Sequence, residues 1–200
     1  MHRVHLSRDQ HLKRILPSLE EVILEKQDKV YLRICRSILS QQLSVKVARV
    51  LYHRFLDLYG GKEPTARQIL ETSELNLREI GFSRAKSDYV HNVCNFFIEN
   101  KITDKKIFAM SDEDVIGLLT QIKGVGRWTA EMILIFTLAR QDVFPVDDLG
   151  IRNAMIQLYN LKETDKRELQ EKMIKISGKW APYRTYASCY LWMWKDAGGL

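Results

Sequence analysis

The chain has 200 residues, a formal charge of +6, and a composition of 46% hydrophobic and 28% charged residues. That is long enough for one large domain or two lobes sharing a core, and too apolar for a disordered chain. No apolar run approaches the roughly 18 residues of a membrane helix, and the polar, basic start MHRVHLSRDQ lacks the apolar stretch and cleavage site of a signal peptide.

Helical periodicity dominates and strand-like alternation is nearly absent, so the expected fold class is all-α, with about ten helices and short connections. Residues 8–25 carry one or two short helices interrupted near Pro17. Residues 28–40 form a helix with Val30, Ile34, Ile38 and Leu39 on one side. Ser44 is a natural N-cap for a helix to about Tyr59, which stops at Gly60-Gly61. Short helices begin near Thr65 and span residues 73–79, and Ser83 opens a long one to about Asn100. Ser111, followed by Asp112, Glu113 and Asp114, starts a helix that ends near Gln121. Another runs from about Arg127 to Arg140. Asp147 or Asp148 caps the next, to about Asn160. Thr164 caps one more, and Pro182 sits in the first turn of the last.

The segment LLTQIKGVGRWTAEMILIF, residues 118–136, is the most informative. Two helices meet at Gly124-Val125-Gly126 with almost no loop. Glycine tolerates backbone angles that other residues resist, and it leaves room for a phosphate to approach. The N–H groups that open a helix have no intrahelical partner and point outward, which suits a phosphate oxygen. Lys123 and Arg127 flank the turn with positive charge.

This hairpin resembles that of the helix-hairpin-helix (HhH-GPD) DNA glycosylase superfamily. The resemblance continues in DVFPVDDLGIRNAM (142–155), an acidic helix start about twenty residues downstream. LRICRSILSQQLSVKVARVLYHRF (32–55) is similar to the family's Gln-bearing helix junction, and GFSRAKSDYVHNVCNFF (81–97) to its Gly-x-x-x-x-Lys segment. WAPYRTYASCYLWMWKDAGG (180–199) resembles the C-terminal helix of the DNA-3-methyladenine glycosylase II branch. The chain looks like a compact form of that branch, without the N-terminal β-rich domain of its larger bacterial member. The expected architecture is a single bilobal domain over 1–200, with a central lobe at about 30–145 and a second lobe from 1–29 plus 146–200.

The resemblance implies a monofunctional enzyme of base excision repair. In bifunctional relatives a lysine follows the Gly-x-Gly-Arg and attacks the sugar. Here that place holds Trp128, so no Schiff base is expected. Three scattered cysteines, Cys35, Cys94 and Cys189, cannot hold the relatives' four-cysteine iron–sulfur cluster and read as buried thiols in a reducing cytoplasm. The implied reaction is hydrolysis of the N-glycosidic bond of an alkylated purine, of 3-methyladenine or 7-methylguanine type, flipped out of double-stranded DNA. Two acids compete for the catalytic role. The residue directly before Leu-Gly-(Ile/Val) holds the family's carboxylate, which selects Asp148; capping alone would explain either acid.

Other roles follow from the resemblance. Gln42, or Leu43 after it, is the wedge that fills the vacated stack. Trp128, Trp192, Met132 and Tyr190 line the base pocket, with Met132 standing where the branch has a tyrosine. Lys123, Gly124, Val125, Gly126, Arg127 and Thr129 bind phosphate. Lys86 reaches a phosphate or is solvated, and Arg152 pairs with a carboxylate or a phosphate. Five histidines show no metal spacing, so no side-chain metal or other cofactor is expected. A monovalent cation on hairpin carbonyls is compatible with the family. The expected protein is a monomer with no membrane partner, cytoplasmic or, in a eukaryote, nuclear. Other damaged bases (hypoxanthine, ethenoadenine, 8-oxoguanine) or a non-catalytic DNA-binding module are the alternatives.

Overall fold

The structure is a computed structural model that describes residues 1–199. Among them there are thirteen α-helices and no strand. In chain order these are α1 (His2–Leu6), α2 (Gln10–Ile15), α3 (Val30–Ser40), α4 (Val45–Asp57), α5 (Ala66–Glu71), α6 (Glu74–Glu79), α7 (Arg84–Glu99), α8 (Asp104–Phe108), α9 (Asp112–Leu119), α10 (Arg127–Phe136), α11 (Leu149–Tyr159), α12 (Lys166–Ser177) and α13 (Arg184–Trp194). The all-α expectation holds.

Most of these helices begin where a short polar side chain can accept an otherwise unpaired backbone N–H. Ser44, Ser83 and Ser111 accept from Val47, Lys86 and Asp114, as the sequence suggests. Thr65 forms a reciprocal capping box with Gln68. The cap of α12 falls one residue later than expected: Asp165, not Thr164, accepts from Arg167 and Glu168. A carboxylate offers two strong acceptor oxygens and outcompetes the hydroxyl beside it.

Three other differences have local causes. Helix α10 stops at Phe136, short of Arg140, because the chain turns through Ala139 at φ 54. Helix α13 begins at Arg184, so Pro182 lies before it and not in its first turn. Helix α8 was not expected; a single charged turn carries little periodicity. Its Asp104 nevertheless matters, because its two carboxylate oxygens accept the N–H groups of Lys29 and Val30 at 2.6 and 3.0 Å and so cap α3 from 75 residues away.

The chain divides into two compact units, Lys26–Leu138 and Met1–Glu25 with the segment from Ala139 onward. In the central unit α3 buries Val30, Leu32, Ile34, Cys35, Ile38 and Leu39 and packs on α4, α7 and α10. Each such side chain contributes about 1.5–3 kcal/mol on removal from water. The terminal unit has its own core, in which Leu6, Leu12 and Leu16 from one end of the chain meet Ile151, Met155, Met173, Trp180 and Leu191 from the other. Helices α11 and α13 pack directly on one another there.

Candidate active site

Asp148 and Asp147 are separated by their surroundings. Asp148 is the N-cap of α11, and its Oδ1 accepts the N–H of Ile151 at 2.8 Å. The same oxygen accepts the indole N–H of Trp192 at 2.9 Å. Only 9% of Asp148 is exposed. Asp147 faces solvent, where it accepts from Gln170 at 2.6 Å and lies 3.8 Å from the Lys166 ammonium. Exposed pairs of that kind contribute little to stability.

The approach of Trp192 to Asp148 depends on Gly150. A Cβ there would lie 3.1 Å from Asp148 Oδ1 and 3.1 Å from Trp192 Cδ1. Helix α13, which carries Trp192, is anchored at its start to the loop before α11. The Arg184 guanidinium forms two bonds of 2.8 Å with the Asp142 carboxylate. Burial raises the Asp142 carboxyl, but the donors of Arg184 outweigh it and hold the group below its ordinary pKa. The Thr185 hydroxyl donates to the Arg140 carbonyl at 2.7 Å and accepts from Val143 N–H at 2.9 Å.

Tyr190 corrects an expectation. It is 0% exposed, within the core of the terminal unit, and its hydroxyl shares a 2.9 Å hydrogen bond with His2 Nε2. A residue so enclosed packs the fold and does not line an open base pocket. Trp192, two residues further along α13, is only partly buried.

The hairpin lies wholly in the central unit. Its turn closes through the N–H of Val125 to the Ile122 carbonyl at 2.9 Å, and Asn92 donates to the Lys123 carbonyl at 3.3 Å. Gly124 has φ +102 and lies against the ring of Tyr89, so its missing side chain makes room for that ring and not for a phosphate. At Gly126 the space is open. Gly126 is the N-cap of α10 and supplies no side-chain acceptor, so no side chain caps the helix start, and Lys123, Gly126 and Arg127 are exposed beside it. Val125 is buried. Thr129 is also buried, and its hydroxyl accepts from the Gln41 amide at 3.3 Å. The side chains of Val125 and Thr129 therefore do not face a phosphate, and the Val125 N–H is already committed to the Ile122 carbonyl.

The helix junction is braced from beneath. Lys86 donates from Nζ to the carbonyls of Leu39 and Gln41 at 2.7 and 2.9 Å. It closes the C-terminal end of α3, and is neither a solvated lysine nor free to reach a phosphate. Burial pushes its pKa below the ordinary lysine value. Beyond this brace Gln42 takes a left-handed φ of 61, uncommon for a residue with a side chain, and both Gln42 and Leu43 are exposed.

A cavity of about 480 Å³ opens in the same unit between α3, α4 and α10. Trp128, Met132 and Phe136, four residues apart on one face of α10, form its apolar side, and Trp128 is 37% exposed. Ser37 and Ser40 face them from α3, and Arg33, Arg36 and Arg49 supply positive charge. The size suits a purine-sized ligand. Among the described residues no group of three His, Cys, Asp or Glu side chains could hold a metal ion. Among the described residues no helix is long and apolar enough to cross a membrane.

Residues 35–179 match the HhH-GPD superfamily of base excision DNA repair proteins. The chain belongs to this superfamily. It is 39% identical over 171 residues to DNA-3-methyladenine glycosylase 1 of Schizosaccharomyces pombe, covering 84% of this chain and 73% of the relative. A putative DNA-3-methyladenine glycosylase of Bacillus subtilis, YfjP, is 32% identical, with 82% and 58% covered. The solved structure of a Schizosaccharomyces pombe 3-methyladenine DNA glycosylase in complex with abasic DNA superposes with a TM-score of 0.87 at 34% identity, covering 98% of this chain and 96% of that one.

As a superfamily member, the protein owes several site features to residues that sequence reasoning passed over. Gly150, Asp142, Arg184 and Thr185 build the surroundings of Asp148, and Tyr89 dictates Gly124. The only local signal was weak: a glycine inside a helix costs about 1 kcal/mol relative to alanine, yet Gly117 in α9 carries that cost with open space around it, whereas Gly150 has close neighbours.

Proposed function

We propose that this protein is a monofunctional DNA glycosylase that hydrolyses the N-glycosidic bond of alkylated purines flipped out of double-stranded DNA. The observation that carries the reading is Asp148: a nearly buried carboxylate, fixed by one helix N–H and one indole N–H, in a chain of the HhH-GPD superfamily. The named activity of the relatives supports the choice of lesion.

In this reading water adds to C1′ as the bond from C1′ to the base nitrogen breaks, and the bonding electron pair leaves with the base. The water gives up one proton to Asp148 or solvent. The sugar passes through an oxocarbenium-like state, which the Asp148 carboxylate stabilises electrostatically. A 3- or 7-alkylated purine is already cationic and departs neutral, so a single carboxylate suffices. Trp128 and Met132 receive the base, and Trp128, placed where bifunctional relatives carry lysine, offers no amine for a Schiff base. Gln42, or Leu43, fills the vacated stack. The start of α10, with Gly126, Lys123 and Arg127, holds a backbone phosphate. A monovalent cation at the turn would be held by backbone oxygens; the Lys123 carbonyl already accepts from Asn92 but retains a second lone pair. The enzyme acts as a monomer.

The test compares wild type with Asp148→Asn on duplexes carrying 7-methylguanine, hypoxanthine, ethenoadenine or 8-oxoguanine. Asparagine caps a helix as well as aspartate, so the variant keeps its fold. Release of 7-methylguanine is expected from wild type and at least about 100-fold slower from the variant. Normal turnover by Asp148→Asn would sink the proposal. Exclusive release of a neutral base would correct the lesion class.

A further inference from the structure

The geometry points to Trp192 as a positioning residue: its indole N–H, admitted by the missing side chain of Gly150, fixes the carboxylate of Asp148 for catalysis. This rests on the reading of Asp148 as the catalytic group. At the N-cap of α11 the Asp148 carboxylate accepts the Ile151 N–H at 2.8 Å, a contact supplied by its own helix. The indole donates to the same oxygen, Oδ1, at 2.9 Å from a different helix 44 residues away. Two donors converging on one oxygen from two helices define the carboxylate plane. Preorganisation of this sort raises the rate without a matching gain in ground-state affinity.

Gly150 is the third member of the arrangement. A Cβ at this position would press on both partners at once, 3.1 Å from Asp148 Oδ1, 3.1 Å from Trp192 Cδ1 and 3.2 Å from Trp192 Nε1. Helix α11 itself gains nothing from glycine there, since alanine is the better helix former. The structure therefore gives up local helical preference at the one place where it lets the indole reach the acid. The anchoring of α13 at Arg184 and Thr185 to the loop of residues 140–143 brings the indole there.

Three variants test the role by single-turnover release of 7-methylguanine and by affinity for an abasic-site duplex. Trp192→Phe keeps an aromatic ring but removes the donor; release is expected to slow by about 10-fold or more while affinity changes less than about 2-fold. Trp192→His returns a ring N–H, because the imidazole Nε2 occupies the place of the indole Nε1, and is expected to recover part of the rate. Gly150→Ala keeps the indole but pushes it from the acid; it is expected to be slowed like Trp192→Phe with no fall in melting temperature. An unslowed Trp192→Phe, or a loss confined to affinity with no rescue by histidine, would overturn the inference in favour of a simple stacking wall. Asp148→Asn run in parallel separates the two levels. If it is inactive and Trp192→Phe is not slowed, only the positioning role fails. If it turns over normally, the catalytic reading fails first.

Discussion

A Cβ placed on Gly124 would lie 2.2 Å from Cγ of Tyr89. The tight turn of the hairpin is thus set by helix α7 behind it, as well as by anything that binds in front. Gly124→Ala combines this overlap with a left-handed φ of +102 and is expected to destabilise the protein by about 3 kcal/mol or more. Gly126→Ala meets open space and is expected to change stability by less than about 1 kcal/mol while weakening DNA binding. Urea denaturation and duplex binding, measured for both variants, check the contrast. Equal destabilisation would show that the two glycines do not have separate tasks.

Lys86 is committed to the protein and not to DNA. Lys86→Met leaves the Leu39 and Gln41 carbonyls without their charged donor and is expected to cost about 1.5–3 kcal/mol of stability. The dependence of DNA affinity on salt is expected to keep its slope, because no phosphate contact is removed. A shallower slope would mean that the ammonium reaches the duplex after all.

The Asp142–Arg184 pair gives the fold an acid-sensitive anchor. The Asp142 carboxyl is depressed in the folded protein, so its contribution is fully present above the unfolded carboxyl value of about 4 and is lost as pH falls through the lower folded value. Thermal melts between about pH 3 and pH 6 are expected to show wild type losing stability on acidification. Asp142→Asn is expected to start lower and to lose less over the same range. Parallel curves would show that the pair carries no linkage.

Trp128 is predicted to bind and not to bond. Borohydride trapping is expected to yield no covalent adduct between protein and a lesion-containing duplex. Trp128→Ala is expected to slow release of a cationic base by about 2- to 30-fold, the range of one aromatic contact of about 0.5–2 kcal/mol. A trapped adduct would overturn the monofunctional assignment.

Much of the fold could be read from local chemistry. Ser44, Ser83 and Ser111 announce helix starts because a short hydroxyl three residues before a free N–H is a local relation. Gly124-Val125-Gly126 announces a turn for the same reason. Composition and spacing could not choose between Asp147 and Asp148; only family resemblance did, and the structure distinguishes their surroundings. What escaped is long-range. Asp104 caps a helix 75 residues upstream, Lys86 closes one 45 to 47 residues upstream, and Trp192 reaches an acid 44 residues away. Tyr190 and Thr129 look like site residues in a linear pattern because helical spacing alone does not say which face turns inward.

The terminal unit joins the first residues of the chain to the last helix, with His2 bonded to Tyr190 and Asp9 to the Trp180 indole. On the ribosome, the central unit emerges as one uninterrupted stretch and can fold while synthesis continues. The half holding Asp148 must wait for helix α13 to leave the exit tunnel. A nascent chain therefore completes its hairpin before α13 can bring the Trp192 indole to Asp148.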